Sequence, residues 1–163
     1  MTWLLDTNVF VTASRREWAF DFCPAFWEWL ILANAAGRVC SLEPVLRELT
    51  PGDPLSAWAA ARGPGFFLPL DGGDLAAMRT VATWASSGPF SGGAAAEFLA
   101  VADAQLVAVG LARGLTVVTH EVPSSSSKRI KIPTACAALG VRFASPYEML
   151  RTERARFVLG PPG

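Results

Sequence analysis

The chain has 163 residues, of which 52% are hydrophobic and 17% charged, a composition that excludes intrinsic disorder and suffices for one domain with a substantial core. Its formal net charge is zero, so overall charge does not predict a nucleic-acid partner. Any attraction for phosphate must come from a local basic patch or from bound metal.

Cysteine and histidine usage argues against a structural zinc site. Cys23, Cys40 and Cys136 form no CxxC pair, and His120 is the only histidine. No uninterrupted apolar run approaches the roughly 18 residues that a bilayer-spanning helix needs, and no basic segment precedes the first apolar run. We therefore expect a cytoplasmic protein with reduced thiols and no membrane contact.

The first predicted element is a buried strand over Thr2–Leu5, which is followed at once by Asp6, Thr7 and Asn8. These short polar side chains favour turns and helix caps, so the strand is predicted to end before Asp6. In an open α/β sheet the ligand crevice lies beyond the carboxyl ends of the strands, which is where Asp6 would lie. The alternative is that Asp6 only caps the short helix that is predicted to end at Ser14.

Large aromatic side chains crowd the segment from Trp18 to Trp29. A helix is predicted from Pro24 to Ala36, because Pro suits the first turn of a helix and Gly37 follows. Core packing is the favoured interpretation of the aromatics, since such side chains dominate buried area. The alternative is a surface that stacks bases or binds a partner.

A second strand over Arg38–Leu42 leads into a helix that begins at Glu43 and Pro44. Glu43 is explained as a first-turn acid that complements the helix dipole. Glu48 flanks the apolar stripe of the same helix and has no such explanation. A solvated glutamate on the helix flank is the alternative to a functional role.

The third apolar run, Phe66–Leu70, contains Pro69, which removes a ladder donor and predicts an edge strand or a partial strand. A helical stripe from Leu75 to Ala85 follows. It is succeeded by a glycine-rich connection from Gly88 to Gly93.

Asp103 occupies an informative position in the segment Ala94–Gly114, whose apolar residues have helical spacing. It lies one turn before the apolar face, where a carboxylate is costly unless it is paired, hydrogen-bonded or bound to a cation. The alternative is an N-cap of the helix that continues to Ala112. Glu97 is a rival acid, but six residues are about 240° around one helix, so Glu97 is predicted not to share a face with Asp103.

The fourth strand, Leu115–Thr119, repeats the arrangement of the first, because a hydroxyl and then a carboxylate, Glu121, follow its apolar run. A serine-rich loop comes next and holds three basic residues, Lys128, Arg129 and Lys131. These side chains are predicted to contact substrate phosphates. A merely solvated loop is equally compatible with the sequence.

The chain continues with a helix from Ile132 that ends before Gly140, a last strand over Val141–Ala144, and a final helix capped by Ser145. Strands and helices thus alternate, which predicts a three-layer α/β domain with a mainly parallel sheet. We expect one domain over residues 1–157 and a flexible tail over residues 158–163.

In order and spacing, these motifs resemble those of the PIN-domain (VapC-like) nuclease family. The resemblance is carried by Leu5–Asn8, Ser41–Glu48, Asp103-Ala104 and Val117–Glu121. It implies an α/β/α PIN-like fold with a mainly parallel central sheet. It further implies four catalytic, metal-binding carboxylates supported by two polar neighbours: Asp6, Glu48, Asp103 and Glu121, with Asn8 and Thr119. The family more often has Asp or Asn where this chain has Glu121.

Hard carboxylate oxygens without accompanying His or Cys suit Mg²⁺ or Mn²⁺. The resemblance implies phosphodiester hydrolysis by a metal-dependent ribonuclease, acting as the toxin of a bacterial toxin–antitoxin pair and inhibited by a cognate antitoxin. A homodimer is a further expectation. Two other classes stay open: a catalytically degenerate PIN-like binding domain, and a carboxylate–metal hydrolase of a phosphorylated small molecule.

Overall fold

The computed structural model describes residues 2–160, so the last three residues of the predicted tail lie outside the described part. Within it, five strands form one parallel sheet in the order β3-β2-β1-β4-β5. The strands are β1 Trp3–Leu5, β2 Val39–Leu42, β3 Phe67–Leu68, β4 Thr116–Val118 and β5 Phe143–Ala144. The predicted fold class, a three-layer α/β/α fold with a parallel sheet, is therefore confirmed.

Helices of varied length connect the strands. They are α1 Thr7–Thr12, continued by a π-helical turn Ala13–Glu17, α2 Pro24–Ala35, α3 Glu43–Glu48, α4 Pro54–Ala60, α5 Gly72–Ser87, α6 Gly92–Ala100, α7 Ala102–Arg113, α8 Ile132–Leu139 and α9 Pro146–Thr152. In the described part no single helix is long and apolar enough to cross a membrane. The bent pair of α6 and α7 reaches that length and composition only when the two helices are taken together.

The strand order puts a topological switch point beside β1. From β1 the chain builds β2 and β3 on one side, then crosses over to form β4 and β5 on the other. Leu5, the last residue of β1, pairs with Val118, the last residue of β4, so both strands end at the same level. In such sheets the crevice at the carboxyl ends of the strands is where ligands bind.

Successive strand residues point to opposite faces of the sheet, and both faces are covered. On one face α7 lies so close to the sheet that a Cβ on Gly110 would stand 2.8 Å from Val141 Cγ1 and 3.0 Å from Val117 Cγ2. Packing therefore requires glycine at position 110. On the other face the Trp3 indole donates a 2.7 Å hydrogen bond to Glu153, just beyond α9.

The aromatic segment belongs to the core, as the favoured interpretation predicts. Phe26 and Trp27 are fully or almost fully buried, and Trp18 stacks on Phe26 with ring centroids 4.5 Å apart. Phe20 stacks on Trp27 at 4.0 Å. Phe22 is the exposed member, at 64%.

The prediction that Glu97 and Asp103 lie about 240° apart around one helix is wrong. The two residues are on different helices, because α6 ends at Ala100, α7 begins at Ala102, and the two axes differ by 72°. Val101 joins them in extended conformation. The angle calculated for a single helix therefore does not describe the relative positions of Glu97 and Asp103.

Candidate functional site

Asp6 lies at the switch point and is only 3% exposed. Its Oδ1 accepts a 2.6 Å hydrogen bond from the Thr7 N–H, which makes Asp6 the N-cap of α1. Its Oδ2 accepts a 2.8 Å bond from the Thr119 hydroxyl, beyond the end of β4. Asp6 therefore both caps α1 and lies in the crevice, two roles that the sequence left as alternatives.

Asn8 and Thr119 hold the Asp6 carboxylate in place. The Asn8 Nδ2 donates to Thr119 Oγ1 at 3.0 Å, and the Glu121 N–H donates to the same oxygen at 3.1 Å. With those two donors aimed at its oxygen, the Thr119 hydroxyl proton is directed to Asp6. Asn8 Oδ1 in turn accepts from the His120 N–H at 3.0 Å, so the ends of β1 and β4 are tied together.

Glu48 is not a freely solvated glutamate, although it is the exposed last residue of α3. Its Oε1 accepts a 2.8 Å bond from the Ala102 N–H, at the start of α7. Its Oε2 accepts a 2.5 Å bond from the Thr7 hydroxyl. Glu48 therefore caps α7 from another helix and links the starts of α1 and α7.

Asp103 does not cap α7, because the N-cap position is Val101 and the capping carboxylate is that of Glu48. Asp103 is instead the second residue of α7 and half-buried. Within residues 2–160 its carboxylate accepts no hydrogen bond. The cost of its partial burial is thus offset by no donor in the described part of the chain.

The Glu121 carboxylate accepts hydrogen bonds at the start of helix α8. Its Oε1 accepts a 3.0 Å bond from Lys131 Nζ, and its Oε2 accepts a 2.8 Å bond from the Ile132 N–H, at the start of α8. Both oxygens therefore already have a donor. Glu121 fixes the far end of the serine-rich loop to the end of β4.

The three basic residues of the loop have different environments. Lys131 is half-buried and paired with Glu121, whereas Lys128 is exposed. Arg129 is also exposed, and it lines a cavity of about 390 Å³ beside the carboxylates. The walls of this cavity include Glu48, Asp103, Glu97, Phe98, Arg129 and Ile130. Of the three cations, Arg129 is the one that lines this cavity.

The pKa values of Asp6 and Asp103 are both raised, and the charges of other carboxylates contribute to each shift. Burial raises the pKa of Asp6 to about 7, helped by the charges of Asp103 and Glu121 and opposed by the bonds from Thr119 and Thr7. Burial also raises the pKa of Asp103 to about 6, with further increases from the charges of Glu121 and Glu48, while Arg129 and Lys131 lower it. The site therefore carries more negative charge than its own cations balance.

The donor chemistry fits a hard divalent cation, but the side chains are not arranged as a ready cage. Among residues 2–160 no group of three or more His, Cys, Asp and Glu side chains is placed to hold a metal ion. The hydrogen bonds of Glu48 and Glu121 explain this, since their oxygens point to helix starts. Mg²⁺ usually takes one or two carboxylates and keeps several waters. It would therefore need only Asp103, which has no donor among the described residues, and Asp6, whose oxygens each accept one bond and keep a second lone pair.

Glu97 is the cavity residue that the sequence reasoning excluded. The break at Val101 turns α6 so that Glu97 and Phe98 line the same cavity as Asp103. A signal for the break was available, because an acid such as Asp103 is typical of a first helical turn and so indicates a helix start close to it.

No curated protein and no solved structure matches the chain. Residues 3–157 match the model of a family described as Domain of unknown function (DUF4411), a span that includes each of the site residues described above. The chain therefore belongs to the DUF4411 family.

Proposed function

We propose that this protein is an endoribonuclease that hydrolyses RNA phosphodiester bonds with Mg²⁺ or Mn²⁺ held by Asp6 and Asp103. The observation that supports the proposal is the buried Asp6 at the switch point of a parallel sheet, with the half-buried Asp103 near enough for its charge to raise the pKa of Asp6. Burial and the charges of Glu121 and Glu48 raise the pKa of Asp103 as well. A divalent cation relieves that repulsion. The same charge would repel a phosphodiester if no cation were bound.

The residues around the two aspartates have separate tasks. Thr119 and Asn8 fix the orientation of Asp6, and such outer partners of a ligand matter nearly as much as the ligand itself. Glu48 and Glu121 fix the starts of α7 and α8. They would support a cation held by the two aspartates through its waters. The cation would supply an activated water and stabilise the charge of the leaving oxygen.

The choice of RNA over DNA rests on the resemblance of the carboxylate motifs to PIN-domain nucleases. The same resemblance supports a toxin of a toxin–antitoxin pair that acts in the cytoplasm, is blocked by an antitoxin protein and forms a homodimer. A phosphate-binding cation beside the carboxylates is consistent with a polymeric phosphodiester substrate, and Arg129 occupies that position.

The test is a cleavage assay with unstructured single-stranded RNA and DNA of matching sequence. We expect RNA cleavage with Mg²⁺ or Mn²⁺ and none after removal of divalent ions with EDTA, restored by adding the metal back. Calorimetric titration of the RNA-free protein with Mn²⁺ should show binding that Asp103→Asn weakens at least about tenfold. RNA binding without cleavage or metal binding would instead identify a binding domain. Hydrolysis of phosphorylated small molecules alone would identify the other hydrolase class.

Arg129→Ala should weaken RNA binding uniformly across sequences, because phosphate contacts position a substrate without reading it. In the Asp6→Asn background, which keeps the RNA intact, the slope of log K against log salt should flatten by about 0.7. Lys131→Ala should change the slope less, since Lys131 already neutralises Glu121. Arg79→Ala is the matched control, because Arg79 is an exposed arginine on α5 that does not line this cavity. Equal slopes for the Arg129 and Arg79 variants would contradict the assignment.

A further inference from the structure

The cavity beside the carboxylates is large enough to hold a small ligand. Its volume of about 390 Å³ falls within the range of about 300 to 1,000 Å³ that is typical of small-ligand pockets. Glu48 and Asp103 form one part of its lining, so whatever occupies it lies next to the proposed site of cleavage. The occupant expected there is one nucleotide of the bound RNA.

Part of the cavity lining is apolar and suits the face of a nucleobase. Val101, 38% exposed, is its accessible apolar side chain, and the almost fully buried Phe98, Ile130 and Ala94 complete the apolar part. Bases of unpaired RNA are commonly held against such side chains, an interaction that tolerates any base because every base has a π-face. Discrimination among bases therefore requires a polar group at the edge of the ring.

Glu97 is the polar group with the right chemistry. It is exposed, lies on α6 and lines the cavity next to Phe98. An ionised carboxylate only accepts hydrogen bonds, and it accepts two in parallel. Guanine presents two adjacent donors, N1–H and the N2 amino group. Adenine and cytosine place a ring acceptor beside their amino group, and uracil flanks its single N3–H with two carbonyl oxygens, so both arrangements repel a carboxylate.

Glu97 is also separate from the carboxylates proposed to hold metal. Glu97 lies on α6, whereas Asp103 is the second residue of α7, beyond the 72° bend between the two helices. Arg129 lines the same cavity and is placed for the phosphate of the same nucleotide.

We propose that this cavity binds a guanine base adjacent to the cleaved phosphate, and that Glu97 recognises it through N1–H and the N2 amino group. The inference rests on the proposed ribonuclease function, because it takes single-stranded RNA as the ligand. It adds a base preference that the four carboxylates by themselves do not supply.

The experiment measures binding of short uridine-rich RNAs with one central guanosine, inosine, 1-methylguanosine or adenosine, using the full chain with Asp6→Asn. A bidentate contact to a base discriminates by about tenfold or more, so guanosine should bind about tenfold more tightly than adenosine. Inosine, which lacks the N2 amino group, should be intermediate, and 1-methylguanosine, which lacks N1–H, should bind as weakly as adenosine. Because these comparisons change only the RNA, they do not require a further protein variant to fold.

Two protein variants complete the test. Glu97→Gln keeps the side-chain size and should abolish the guanosine preference, whereas Glu28→Gln, on an exposed helical glutamate of α2, should leave it unchanged. Equal binding of the guanosine and adenosine RNAs, or a preference that survives in Glu97→Gln, would overturn the inference.

The outcomes separate this inference from the proposed function. Metal-dependent cleavage by the wild-type protein without any guanosine preference would leave the ribonuclease in place and remove the guanine pocket. A guanosine preference that depends on Glu97, in a protein that cleaves no RNA, would support the pocket and overturn the nuclease.

Discussion

Asp6→Asn is expected to lower the rate of metal-dependent RNA cleavage at least about 100-fold. Loss of a residue that merely supports a metal ligand typically costs about 10- to 100-fold in affinity or activity, and loss of a direct ligand should cost more. Asn keeps the size of Asp6 and one acceptor oxygen for the Thr7 N–H, so the cap of α1 is retained. The measurement is kcat/KM on single-stranded RNA at saturating Mg²⁺.

Two further variants make this result interpretable. Asp21→Asn removes one exposed acid from the turn before α2, a residue without a contact to the four carboxylates in the described part of the chain, and should retain wild-type activity. Thr119→Val removes the hydroxyl that donates to Asp6 and should lower kcat/KM by about 10- to 100-fold. This loss lies between those expected for Asp21→Asn and Asp6→Asn. Wild-type activity in Asp6→Asn would exclude Asp6 as a ligand, whatever the result for Thr119→Val.

The strands could be predicted because each is a short apolar run bounded by polar or turn residues. Predicted ranges such as Leu115–Thr119 contain the observed strands, here Thr116–Val118, with ends that differ by a residue or two. Pro69 also predicted that β3 would lie at the edge, and it does. The break at Val101 escaped prediction because it involves neither Gly nor Pro, and the start of α7 is capped from a distant helix by Glu48.

The polar contacts of the site were beyond sequence reasoning for a related reason. The sequence indicated which carboxylates follow strands or flank helices, but not which donors their oxygens would meet. Glu121 and Lys131 both follow β4, yet nothing in their spacing shows that they form an ion pair at 3.0 Å. The same holds for Arg113, the first basic residue after Asp103 in the sequence, which pairs with the buried Asp74 of α5. Partners of long charged side chains depend on tertiary geometry.

The second large effect concerns stability against pH in the absence of divalent ions and RNA. In the unfolded chain both aspartates ionise near pH 4, whereas in the folded protein the pKa of Asp6 is about 7 and that of Asp103 about 6. Between pH 4 and pH 7 the folded state therefore binds more protons than the unfolded state. The free energy of unfolding should fall as pH rises through this window, by on the order of 2 to 4 kcal/mol between pH 5 and pH 8.

Asp6→Asn should remove most of that dependence, since an asparagine side chain carries no charge at any pH. We expect the variant to be more stable than wild type at pH 8, by about 1 to 3 kcal/mol, and no more stable at pH 5, where Asp6 is already protonated. Urea unfolding at both pH values measures the difference, and Asp21→Asn should follow the wild-type curve. Parallel curves for wild type and Asp6→Asn would show that Asp6 does not titrate near pH 7.

Saturating Mg²⁺ should reverse the trend in the wild-type protein. A cation bound by the ionised carboxylates would stabilise the folded state by RT ln(1 + [Mg²⁺]/Kd), so its effect should be large at pH 8 and small at pH 5, where protons compete for the same oxygens. In Asp6→Asn the Mg²⁺-dependent increase at pH 8 should be largely lost, which distinguishes binding at this site from a general effect of salt. Equal stabilisation of both proteins by Mg²⁺ would place the cation elsewhere. The pH dependence without metal would still report the burial of Asp6 and, to a smaller extent, its repulsion by Asp103.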